Sequence, residues 1–99
     1  MTRKAAKVDS NQGEIVEYLR ACGFTVTSTA NVGNGFPDLV VGKYGLTFIL
    51  EVKSKKGKLR KSQEEWFEDW RGHAIVVRNM EDVRKFICDV SGVPYEECK

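Results

Sequence analysis

Three residues near the middle of the chain have the types and spacing for phosphate chemistry. Asp38 opens an apolar run through Leu39, Val40 and Val41, and Glu51 and Lys53 close a second run through Leu46, Phe48, Ile49 and Leu50. Gly42 and Gly45 punctuate the chain between them, so the runs read as two strands joined by a tight turn at Lys43, Tyr44 and Gly45. Alternation along a strand puts Thr47, Ile49, Glu51 and Lys53 on one face and Phe48, Leu50 and Val52 on the other. In a hairpin the start of one strand lies beside the end of its partner, so Asp38, Glu51 and Lys53 are expected to meet at one open end. Converging carboxylates suit a hard divalent cation, Mg²⁺ or Mn²⁺, which takes oxygen ligands together with water and substrate phosphate. Such an ion polarises a phosphoryl oxygen and acidifies bound water, and the lysine would orient that water or meet charge developing on the phosphate. The competing reading is a salt bridge at a strand end, since Glu-Val-Lys alone is a common tripeptide. Pro37-Asp38 upstream of an apolar strand favours the site.

These residues also carry a resemblance. Pro37-Asp38, a short spacer and then Glu51-Val52-Lys53 look like the PD-(D/E)XK nuclease signature. The longer pattern of Gly35, Phe36, Pro37, Asp38 and Leu39, then Glu51-Val52-Lys53, Leu59 and Gln63, resembles the virus-type replication-repair nuclease (VRR-NUC) branch of that superfamily, in its stand-alone phage or bacterial form. The likeness spans residues 14 to 87. It implies a restriction-endonuclease-like α/β core with a mixed central sheet flanked by helices, and a metal-dependent DNA endonuclease. Asp38 and Glu51 would ligate Mg²⁺ or Mn²⁺ with the carbonyl of Val52, Lys53 would activate or position water, and Gln63 would support the triad. A glutamate on the first helix, here Glu14, would reach the metals as a third carboxylate. Stand-alone members form twofold dimers that resolve four-way DNA junctions, which implies a homodimer acting on branched DNA. In residues 59 to 63 this chain reads Leu-Arg-Lys-Ser-Gln, more basic than the family pattern.

The elements that must position these residues follow from patterning. Residues 1–7 read as a basic arm with Arg3, Lys4 and Lys7, residues 8–92 as the nuclease domain, and residues 93–99 as a short tail. Asp9 or Ser10 can cap a helix that buries Ile15, Leu19 and Cys22 and stops at Gly23. Glu14 sits in its first turns, where a carboxylate also favours the helix dipole without any metal. Residues 24–30 alternate as a first strand. The loop of Asn31, Val32, Gly33, Asn34 and Gly35 lacks a nucleotide-cradling fingerprint and reads as a place where backbone passes close to a ligand.

Ser62 can cap a second helix, with Glu65 completing a capping box. Gln63, Trp66, Phe67 and Trp70 then share one face. That aromatic stripe reads as core in preference to a base-stacking platform. Gln63 at its start can satisfy a backbone partner or reach the active end. Residues 74–77 are a compact apolar run suited to an inner strand. Asn79 can cap a last helix that buries Val83, Phe86, Ile87 and Val90 and stops at Gly92, Val93 and Pro94. The resulting order is α-β-β-β-α-β-α.

Bulk properties narrow the class. The chain has 99 residues, 41% hydrophobic and 30% charged, which fits one folded domain and not a disordered chain. A net charge of +2 does not by itself establish a nucleic-acid partner. Its distribution says more: Lys53, Lys55, Lys56, Lys58, Arg60 and Lys61 put six cations in a nine-residue window directly after the proposed site. Such a run is a solvated loop by default and, beside a phosphodiester site, a phosphate-contacting flank. Cys22, Cys88 and Cys98 have no paired spacing; Cys22 and Cys88 read as core or near-core thiols, and the absence of a histidine or cysteine cluster argues against zinc. His73 beside Gly72 reads as a partner for a helix C-terminus. No apolar run reaches membrane-spanning length and the N-terminus lacks the apolar segment of a signal peptide, so a cytoplasmic setting is expected, which the resemblance implies is that of a bacterium or phage-infected cell. The alternative of a different class is a non-catalytic DNA-binding or interaction module that retains the nuclease fold.

If the basic run contacts phosphates, neutralising Lys55, Lys56 and Lys58 together weakens DNA binding and lowers the slope of log affinity against log salt by about one for each lost contact. Titrations at several salt concentrations measure that slope. An unchanged slope would mark the run as a solvated loop.

Overall fold

The computed structural model describes residues 11–92. The expected basic arm, the caps at Asp9 or Ser10, and the tail with Val93 and Cys98 lie outside them. Helix α1 (Gln12–Ala21) ends as its glycine predicts: Gly23 takes φ +94°, its amide donates to Arg20 O and the Phe24 amide to Leu19 O, each at 3.0 Å. This is the Schellman arrangement, and it folds Phe24 back over Leu19 in the core.

Strands β1 (Thr25–Ser28), β2 (Leu39–Lys43) and β3 (Leu46–Val52) form an antiparallel meander. The β2–β3 turn needs only Tyr44 and Gly45, at φ +61° and +74°, the positive values that match the twist of a two-residue hairpin. β4 (Ala74–Val77) lies parallel to β3, and a parallel return requires a crossover, which carries α2 (Lys61–Asp69). Helix α3 (Met80–Ser91) closes the described fold. Asn79 caps it by accepting from the Asp82 amide at 2.8 Å, and Gly92 ends it at φ +78°.

The strand order is β1-β2-β3-β4, a mixed sheet with α1 and α3 packed on one face. Leu39, Val41, Phe48, Leu50, Val52 and Val77 meet Ile15, Leu19, Val83 and Phe86 there, all buried. The rings of Phe48 and Phe86 cross edge-to-face at 5.2 Å. Ile49 and Glu51 point to the opposite face, as alternation requires, and are buried as well.

Four expectations are corrected. β4 pairs only with β3, so among the described residues it is an edge strand, half-buried at Ala74, Ile75 and Val76, and not an inner one. The cap of α2 is Arg60: Lys61 and Ser62 already lie in the helix, and Gln63, not Glu65, accepts from the Arg60 amide. His73 lies after the end of α2 and stacks edge-on against Phe48 at 5.0 Å. Cys88 is buried and disulfide-bonded, not a thiol, whereas Cys22 is a half-buried free thiol packed against the core, as its near-core reading expects. Apart from these, Phe36 is half-buried with its ring 5.3 Å from Trp66.

Gly35 fixes where the Pro-Asp segment meets α2. It is buried at φ +81°, and a Cβ there would lie 2.3 Å from the carbonyl oxygen of Ser62. Gly35→Ala therefore combines left-handed strain with a backbone clash, and should destabilise the fold by roughly 2 kcal/mol or more. Chemical denaturation against wild type measures this; an unchanged midpoint would show that the two segments separate freely.

Candidate active site

The β2–β3 register pairs Leu39 with Leu50, so its continuation sets Asp38 opposite Glu51. Asp38 is held by its own backbone and side chain. Its carbonyl accepts from the Thr29 amide at 2.7 Å, and its Oδ2 accepts from the Val52 amide at 3.0 Å. Thr29 Oγ1 donates to Pro37 O at 2.7 Å, which ties the Pro-Asp segment to the end of β1. Glu51 is 1% exposed. Its Oε2 accepts from Gln63 Nε2 at 2.9 Å and lies 3.5 Å from Lys53 Nζ. Gln63 Oε1 accepts from the Arg60 amide at 2.8 Å, which turns the amide donor toward Glu51. The two readings of Gln63 are thus met by its two ends: one satisfies backbone, the other holds the carboxylate.

Burial, and after it the nearby Asp38 charge, push the Glu51 carboxyl up, to about 7. Lys53 and Arg60 pull it down without cancelling the burial. The ion pair at 3.5 Å is therefore too little compensation for a carboxylate this deep. Glu51 Oε1 sharpens the point, being buried with no hydrogen-bond partner. An orphaned buried carboxylate oxygen is a costly feature in a fold. It suits a hard cation, which would supply the missing partner and favour the ionised form. On this observation the oxygen donors fit a hard divalent cation.

The remaining expected site residues are placed as follows. Val52 is buried, and its amide is the group bound to Asp38. Lys55, Lys56, Lys58, Arg60 and Lys61 are exposed along the connection from β3 into α2. Glu14 is exposed in the first turn of α1, and no three His, Cys, Asp or Glu side chains gather to hold a metal among the described residues. The structure therefore joins Asp38 with Glu51 and leaves Glu14 out of that pair. Its helix does start at the correct end of the sheet, because Asn11 Nδ2 donates to Arg78 O just past β4.

Arg78 is the residue that sequence patterning missed. Its guanidinium donates to Ser54 O at 2.8 Å and to Gly57 O at 2.5 Å, pinning the loop that follows Lys53. Its amide donates to Asp82 Oδ2 at 2.9 Å, which anchors it to α3. The only signal was an arginine directly after the last strand.

A mixed sheet with helices on both sides, a parallel crossover, and Asp38, Glu51 and Lys53 gathered at one strand end define a nuclease-type domain of the PD-(D/E)XK class. The chain belongs to the VRR-NUC domain family, whose model matches residues 4–92. No curated protein and no solved structure matches it significantly.

The raised Glu51 carboxyl has a stability consequence with a definite sign. Its folded pKa of about 7 exceeds the ordinary value of 4.5, so folding retains a proton that the unfolded chain releases. The penalty is absent below about pH 4.5, grows as pH rises, and is complete above about 7. Metal-free protein should lose on the order of 3 kcal/mol across that window. Glu51→Gln should remove the loss, and Mg²⁺ should raise the wild-type melting temperature at pH 8 but not that of the variant. Melts in chelator and in Mg²⁺ check both, and a wild-type profile that is flat in chelator would overturn the assignment.

Proposed function

We propose that this domain is a divalent-metal-dependent, structure-selective DNA endonuclease that hydrolyses phosphodiester bonds. The observation that carries the reading is the buried Glu51 carboxylate, with one oxygen bound by Gln63 and the other without a partner, beside Asp38. Asp38, Glu51 and the Val52 carbonyl would hold Mg²⁺ or Mn²⁺. When bound, the cation supplies charge against the phosphate and acidifies a water.

The chain's own residues do the rest. Gln63 keeps the Glu51 carboxylate from turning, and the Val52 amide does the same for Asp38. The Lys53 ammonium, on the same strand face, orients the attacking water and meets charge on the phosphate as the water oxygen bonds to phosphorus and the bridging oxygen leaves. Glu14 completes the acidic set by turning in from the first turn of α1. Lys55, Lys56, Lys58, Arg60 and Lys61 guide the DNA backbone toward this end.

The fuller form of the reading is a homodimer that cleaves four-way junctions, in the cytoplasm of a bacterium or phage-infected cell. Cutting both strands calls for two active sites, which a twofold dimer supplies with the pairing that a junction's near-twofold symmetry needs. Tyr44 and Leu46, exposed at 56% and 54% near the hairpin tip, offer apolar surface for such a contact.

The test is cleavage of labelled single-stranded, flapped, duplex and four-way DNA across a Mg²⁺ and Mn²⁺ titration. Paired nicks in the junction are expected, with activity lost in Asp38→Ala, Glu51→Ala and Lys53→Ala while each variant stays folded. Sedimentation at micromolar concentration should give twice the monomer mass. Wild-type rates in all three variants would remove the site. A monomer that digests single strands from an end would remove the junction reading alone.

A further inference from the structure

Helix α2 buries its aromatic stripe only in part, Phe36 covering an edge of Trp66. Gln63 is its only buried residue; Trp66 and Phe67 are half-buried and Trp70 is 39% exposed, none of them in the main core cluster. The indoles of Trp66 and Trp70 stack at 4.7 Å and 17° from parallel. They wall a cleft of about 450 Å³ whose other lining residues are Asn34, Ser62, Glu65 and Asp69. From these features we propose that the cleft binds an unpaired nucleobase of the DNA strand engaged at Asp38 and Glu51.

The lining chemistry selects the occupant. Among the described residues the cleft is lined by two carboxylates and by no lysine or arginine, so it repels phosphate. Its aromatic wall takes a flat ring, and base–aromatic stacking is tolerant of which base is bound. Glu65 and Asp69 accept hydrogen bonds only, which matches the exocyclic amino groups of adenine, cytosine and guanine, and thymine has none. Asn34 and Ser62 can donate or accept. A second copy of the chain is a poorer occupant, because a twofold contact through this face would bring two such acidic pairs together.

Placement agrees with chemistry. Gln63 bonds Glu51, and Trp66 and Trp70 follow it on one helix face at about 4.5 Å and about 10.5 Å of axial rise. Neighbouring nucleotides of a stacked strand are about 3.4 Å apart, so the cleft lies one to three nucleotides from the scissile phosphate. The exposed cations of residues 55–61 end where α2 begins and can hold the backbone while a base turns into the cleft. A paired base cannot enter without leaving its stack, so the cleft favours DNA that already has unpaired bases.

This inference rests on the nuclease reading for its placement, and binding without cleavage separates the two. In chelator, a blunt DNA hairpin is compared with the same hairpin carrying a three-nucleotide dA or dT overhang, by fluorescence anisotropy and indole quenching. Wild type should bind the overhangs tighter than the blunt end, and dA tighter than dT. Trp70→Ala should lose about tenfold on the dA overhang, leaving blunt-end affinity and the salt slope unchanged, and Trp70→Phe should restore most of the loss. Gly72→Ala offers a second probe that keeps both indoles, because its Cβ would lie 2.8 Å from Trp70 Nε1 and displace the ring. It should also weaken overhang binding. No overhang preference in wild type, an equal Trp70→Ala loss on blunt and overhang DNA, or a Trp70→Ala shift from dimer to monomer would each overturn the proposal. Trp70-dependent overhang binding in a protein that cuts no DNA in Mg²⁺ would uphold the cleft and overturn the nuclease reading instead.

Discussion

A carboxylate held out of water on a strand face needs partners, and the site is arranged around how Glu51 obtains them. One oxygen takes the Gln63 amide and the approach of Lys53, and the other has none. Gln63 can serve only because its own oxygen is occupied by the Arg60 amide at the start of α2. The helix start, the strand end and the carboxylate are thus coupled through one amide side chain. Asp38 is fixed by a separate route, through the Val52 amide and the Thr29 amide. The two carboxylates therefore keep their places although their charges oppose each other. That opposition, together with burial, holds Glu51 near its midpoint at neutral pH.

The parts around this pair divide into a buried layer and an exposed, basic connection. One sheet face is filled by α1 and α3, and the Phe24, Phe48 and Phe86 rings interlock there. The other face carries Glu51 and is covered there by a short helix whose buried residue is Gln63. Arg78 ties the connection between β3 and α2 to α3 through two backbone carbonyls. The segment that carries the cations is therefore fastened near its start by Arg78 and at its end by Gln63, with exposed side chains between.

The hairpin and its charged end were legible because strand alternation has a period of two, and one register decides every facing. Asp38, Glu51 and Lys53 could be placed together from that period and the glycines alone. Gly23 and Asn79 were legible as helix boundaries because each answers a backbone need that few residue types meet. The stripe on α2 shows the limit. Spacing reveals that Trp66, Phe67 and Trp70 share a face, but not whether another element arrives to cover it. Arg78 left no pattern, since its guanidinium binds backbone carbonyls that any sequence supplies. Glu14 was legible as a helix carboxylate but not in its distance from the strand ends, which depends on how α1 packs.

The β2–β3 hairpin has Asp38 and Glu51 at one end and its turn at the other. Seven residues of β3 separate them, about 20 Å of extended chain. At the turn Tyr44 is exposed, and the Lys43 ammonium sits over the Tyr44 and Phe24 rings and donates to the Cys22 carbonyl, so the strand just below the tip is anchored to the end of α1. The molecule accordingly has a handle: a dye or surface tether attached at the tip stays a strand's length from Asp38 and Glu51.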